Sequence, residues 1–258
     1  MSARVGALAR VRDDLEEVTR MLAAAGLAGV LVGVPAGLLA RLVMKVSAVA
    51  AGPSGQGVHT ENGNVVGALT ADGTLALVIF AGLAPVGAGA ILYVAVRPWF
   101  RSLGRWRGLA FGLYLLALAG PVGLDSANSD FSRFGPAPLN VAMFAALFLA
   151  VGVALVPVAE WTLARLSTGR WALVALGFLF GVLGAGLVLA IATATIWSWL
   201  TGQGTSLGGV VVTLMVASAA IGLATRRGGL SLLSYAALGV PLAFGLWLTG
   251  TAVVQLLR

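Results

Sequence analysis

Residues 21–51 run for 31 positions without an acid and with only two charges, Arg41 and Lys45. Wholly helical, the run would be about 46 Å long, against the ~30 Å hydrocarbon core that some 20 residues cross. A stretch of this kind is a transmembrane helix that tilts, kinks or projects from the bilayer. Pro35 supplies a kink site, because it lacks a donor and its ring crowds the preceding turn. Ala25, Gly29, Gly33 and Gly37 recur at intervals of four, which predicts a groove that a neighbouring helix can approach closely. Arg41 and Lys45 continue the interval, but each step of four overshoots a full turn by about 40°, so Arg41 is turned by roughly 120° from Gly29. The groove and the cations are separate features.

The remainder of the chain repeats this character. Hydrophobic residues make up 59% of the sequence and charged ones 10%, whereas charge is about a quarter of a soluble domain. The expected fold class is all-α: a polytopic integral membrane protein, one transmembrane domain over 1–258, with the lipid bilayer as its first partner. A net charge of +7 could suggest nucleic acid. The arginines, however, sit in short connections between apolar runs, where they act as orientation signals, so nucleic acid is not an expected partner. The absence of cysteine excludes disulfides and thiolate chemistry. Ala48, Val49 and Ala50 have the small-x-small form of a cleavage site. The apolar run is too long and its end too basic for a signal peptide, so an uncleaved anchor is expected.

Seven spans are predicted, near 21–46, 75–96, 108–124, 138–159, 172–200, 207–225 and 230–254. Ahead of them, 1–20 carries Val5, Leu8, Val11, Leu15 and Val18 at helical spacing among mixed charges, and is expected to be a short amphipathic helix lying along the cytoplasmic surface. The polar stretches 52–74 and 125–137 are expected to form a small extracytoplasmic cap. In the first of these, Asn62-Gly63 and Asp72-Gly73 suit hairpin turns, with a re-entrant segment as the alternative. With the N-terminus inside, twelve Lys and Arg lie in inner segments against four in outer ones. The positive-inside rule then places the protein in the plasma (inner) membrane as a multi-pass chain, N-terminus cytoplasmic and C-terminus extracytoplasmic. Glu160, Trp161, Arg165, Arg170 and Trp171 mark the inner boundary of the fourth span.

In that orientation the polar and charged groups of the outer face are Arg41, Lys45, His59, Glu61, Asp72, Asp125, Asn128, Asp130 and Arg133. These are the candidate ligand-binding residues. Arg41 and Lys45 can offset the negative end of the helix dipole and reach the headgroups, pair with Asp72, Asp125 or Asp130, or form an anion site in which Arg41 offers a planar fork. Asp125, Asn128 and Asp130 supply oxygens at short spacing but lack the glycine and distal glutamate of a calcium loop, so no metal is expected. His59 is the only histidine, and no nucleophile-elbow sequence accompanies the nearby serines, so no catalytic residue is assigned. No cofactor is implied either, since the one lysine lies in the first span rather than where a retinal Schiff base would need it.

The leading expectation is a non-catalytic membrane protein whose capped outer face binds a ligand or a partner subunit, a membrane partner or a homo-oligomer; the glycine grooves at 29–37 and 177–184 suit helices of the same chain or of a partner alike. Two rivals belong to other classes. One is a small-solute (anion) transporter or channel using Arg41 and Lys45 at its outer mouth, and the other is an outer-face enzyme acting on a lipid or envelope precursor through His59 and the aspartates.

Overall fold

The computed structural model describes residues 2–53, 57, 70–124, 134–166, 171–201, 210, 213, 216–218, 220–221 and 232–257. The elements in order are α1 (Ser2–Ala50), α2 (Ala71–Leu77), a π-helical segment (Val78–Leu83), α3 (Ala84–Arg101), a 3-10 turn (Gly104–Trp106), α4 (Arg107–Gly123), α5 (Ala137–Arg165), α6 (Trp171–Leu200) and α7 (Leu232–Leu256). No strand occurs among the described residues. Five helical stretches are long and apolar enough to cross a membrane: Arg12–Ala50, Ala71–Arg101, Ala137–Arg165, Ala172–Ser198 and Leu238–Leu256. The protein is therefore an all-helical bundle of membrane type. α4 has 17 residues, about 25 Å at ~1.5 Å per residue. Most of 207–225 lies outside the described residues; those described there, such as Val210 and Ser218, are helical.

α1 does not divide at Arg20. It is one continuous helix from Ser2, so 2–20, about five turns, runs into the first span without a break. No glycine or proline stands between Gly6 and Gly26, and nothing in that interval breaks the helix. Arg12 and Glu16 form an exposed i,i+4 pair at 3.0 Å on this extension. A second difference lies at Asp72 and Gly73, which sit inside α2 and not in a hairpin turn. Thr70 is the N-cap, its hydroxyl accepting from the Gly73 N–H at 3.2 Å, and Asp72 falls in the first turn where a carboxylate opposes the helix dipole. Capping outweighs the turn signal.

α1 packs against α3, the π segment, α5 and α6, while α4 packs against α3, α5 and α7. The small residues of α1 set the first of these contacts. A Cβ on Gly29 would lie 2.9 Å from the Gly87 Cα, one on Gly33 3.0 Å from the Leu83 Cα, and one on Gly37 2.5 Å from the Val78 Cα. Nearer its N-terminal end α1 meets α6, where Gly177 and Gly181 abut the backbone of Ala23 and Leu22. Both glycine series are thus met by helices of the same chain.

The π segment explains how α2 and α3 continue through Pro85. The Ala84 N–H reaches the Ile79 carbonyl five residues back, so the hydrogen-bond ladder is already displaced when the proline withholds its donor. Beyond it, Val86, Ala90, Tyr93, Arg97 and Phe100 follow at alternating steps of four and three, a stripe that keeps one face on its neighbours. Phe111 of α4 meets Tyr93 at 5.1 Å and Phe100 at 5.5 Å, both edge-on, and Tyr114 completes this aromatic core.

Candidate functional site

Two polar assemblies stand at opposite ends of the bundle. The first grows out of the α3 stripe. Tyr93 buries its ring against Phe111 and presents its hydroxyl to α5, where it donates to Glu160 Oε1 at 2.7 Å. Arg97, one turn further, donates from Nε to the same oxygen at 2.6 Å and from Nη2 to Oε2. The fork-on-carboxylate arrangement satisfies both oxygens. Arg107, the first residue of α4, adds a longer contact, Nη1 to Oε1 at 3.9 Å. One carboxylate therefore joins α3, α4 and α5. The side chains of Arg97 and Glu160 are 25% and 17% exposed, so the pair is shielded enough for its geometry to matter. Thr162, two residues on, donates to the Ala24 carbonyl at 3.2 Å and brings α1 into the same end.

This joint is not among the sequence-derived candidates, which belong to the expected outer face. In the sequence Glu160 marks only the inner boundary of a span. The signal was nevertheless present: Glu160 is the single acid in 131–258, and a lone carboxylate beside arginines at a helix end is a pairing signal.

The second assembly lies where α1 ends. The Ser47 hydroxyl donates to Asn140 Oδ1 at 2.7 Å, and Asn140 Nδ2 donates to the Phe134 carbonyl at 3.0 Å. The carbonyl can only accept, so it fixes which way the Asn140 amide faces. Asn140 is buried, as are Ala48 and Phe134 beside it. Gly135 adopts φ +93°, and a Cβ there would stand 3.0 Å from the Ser47 carbonyl oxygen, so both the conformation and the approach require glycine. The residues that lead into α5 are pinned to the last turns of α1.

Of the sequence-derived candidates, Arg41 is buried at 8% exposure, and Lys45, one turn later, is half-buried. Asp72 is exposed in the first turn of α2 and has no ion-pair partner among the described residues. His59, Glu61, Asp125, Asn128, Asp130 and Arg133 lie outside the described residues. A guanidinium as enclosed as that of Arg41 is directed into protein, not out to headgroups. Among the described residues no three His, Asp or Glu stand together as a metal ion would require.

A groove of about 690 Å³ opens at the Glu160 end, between the turn that starts α4 and the Pro157 region of α5. Arg105 lies over the Trp106 ring there at 5.1 Å, and Arg165 lies over Trp161 at 5.8 Å on the following turn of α5.

No protein-family model, no curated protein and no solved structure matches this chain.

Proposed function

We propose that the chain is a seven-span, non-catalytic protein of the plasma membrane, N-terminus cytoplasmic and C-terminus outside, whose outer cap of 52–74 and 125–137 binds a ligand or a partner subunit. Counting α4 and 207–225 as spans brings the five long apolar stretches to seven. The twelve-to-four bias of Lys and Arg then selects the orientation.

The observation that supports this reading is the burial of Arg41. A side chain that is always charged is costly to enclose unless polar groups surround it. In this orientation the enclosed charge lies near the outer end of α1, the end from which the chain runs on into 52–74. At the other end, Glu160 is already committed to Arg97 and Tyr93, which makes that end a joint between helices.

A photoreactive amino acid placed at Asp72, and separately at Leu103 of the opposite end, tests the proposal in the intact membrane. The expected result is one adduct of discrete mass from position 72, lost in Arg41→Gln, and from position 103 none that depends on Arg41. Adducts from 103 alone would overturn it. Anion flux in proteoliposomes that disappears in Arg41→Ala would also overturn it, in favour of a transporter.

A further inference from the structure

We propose that the groove between α4 and α5 holds an anionic phospholipid from the leaflet facing the Glu160 end, its phosphate at Arg105 and Arg107 and its chain along Leu109, Val153 and Val156.

The shape comes from glycine and proline. Deeper in the bundle α4 and α5 touch backbone to backbone: a Cβ on Gly112 would lie 2.9 Å from the Leu149 Cα, and one on Gly108 3.1 Å from the Val153 Cα. Above that contact α5 runs on through Pro157, which offers no N–H to the Val153 carbonyl and so leaves one gap in the helical hydrogen-bond ladder. The groove of about 690 Å³ lies beside this contact, between residues 104–109 and the stretch from Val153 to Pro157, within the ~300–1,000 Å³ usual for a bound small molecule. From Val153 to Glu160 is about 10 Å along the helix. One end of the groove is therefore level with the carboxylate joint, and the other reaches toward the bilayer interior.

Charge and polarity follow the same axis. The cations are at the mouth, and the walls below are Leu109, Val153 and Val156. Over 84–124 and 134–166 the sequence has five arginines and one acid, Glu160. That acid takes two hydrogen bonds from Arg97 and one from Tyr93, and its nearest approach to Arg107 is 3.9 Å. Arg105 and Arg107 keep a surplus of positive charge at the mouth, and Arg105 is held over Trp106, a ring suited to headgroup depth. A free phosphate would use the cations and leave the apolar walls bare. A phospholipid uses both.

The test is native mass spectrometry of the full-length protein released from nanodiscs containing phosphatidylcholine with increasing phosphatidylglycerol. Phosphatidylglycerol should be retained in preference to phosphatidylcholine. Arg105→Gln should weaken retention roughly fivefold, as one arginine near an anionic surface contributes. Arg165→Gln, which removes an exposed arginine of the same end outside the groove, should leave retention unchanged. Val153→Trp, which fills the groove from an exposed position, should abolish it, with thermal unfolding in pure phosphatidylcholine confirming that each variant is folded. Equal losses in Arg105→Gln and Arg165→Gln, or equal retention of the two lipids, would overturn the proposal. So would displacement of the lipid by millimolar inorganic phosphate, which would identify a soluble-anion site.

Discussion

The Arg97 guanidinium grips the Glu160 carboxylate with two parallel hydrogen bonds across the α3–α5 boundary, and it does so one helical turn from the tyrosine that bonds the same carboxylate. The pair thus has fixed direction as well as attraction. Glu160→Ala should lower unfolding stability by about 2–3 kcal/mol, somewhat less than loss of one partner from a fully buried pair, because Arg97 stays partly exposed. Arg97→Ala with Glu160→Ala should cost less than the sum of the two, and Arg97→Lys should fail to replace the fork. Unfolding of the purified protein in mixed micelles measures all four.

The glycines of α1 and α3 make unequal contacts, and alanine substitution should separate them. Gly37→Ala places its methyl 2.5 Å from the Val78 Cα, where backbone must move, and should destabilise by about 1–3 kcal/mol. Gly87→Ala meets nothing within 4 Å and should be neutral or slightly stabilising, since it removes only chain freedom. Thermal unfolding of the two variants gives the comparison directly.

Asn140 serves a donor and an acceptor at once, and its replacements should rank accordingly. Asn140→Leu strands the Phe134 carbonyl and leaves the Ser47 hydroxyl only the Val43 carbonyl at 3.3 Å, at about 1–3 kcal/mol. Asn140→Asp should be worse at neutral pH, because a carboxylate oxygen would then face the Phe134 carbonyl. Ser47→Ala should be the mildest of the three. Proteolytic susceptibility of the 134–140 segment would report the same order.

The chain has no cysteine, which makes topology directly testable with single introduced thiols. Leu103→Cys, Thr201→Cys and Leu257→Cys fall at exposed positions beyond helix ends. The proposed orientation predicts that an impermeant maleimide labels 201 and 257 in whole cells and labels 103 only after lysis. Labelling of 257 only after lysis would place an even number of spans in the chain.

The sequence made the membrane class and the glycine packing of α1 legible because both depend on local, periodic properties. Gly29, Gly33 and Gly37 declare a close approach wherever the neighbour comes from. It did not reveal the Glu160 joint, because Tyr93, Arg97, Arg107 and Glu160 belong to three helices, and each cation taken alone looks like an orientation signal. Ser47 and Asn140, 93 positions apart, are hidden for the same reason. The length of α1 was missed for a different one: charge pattern marked an end at Arg20 where no residue actually stops a helix.

The π segment at Val78–Leu83 also gives the long second helix one place where its length is adjustable. A bond that spans five residues instead of four absorbs a single extra residue, so a deletion inside the segment can relax it to ordinary helix with both flanks still facing their partners. A deletion at 88–92, in regular helix, has no such outlet: everything beyond it turns by about 100°. Tyr93 and Arg97 would swing off Glu160. A single deletion is therefore tolerable within Val78–Leu83 and ruinous at 88–92, where the same helix has lost the means to take up the change in register.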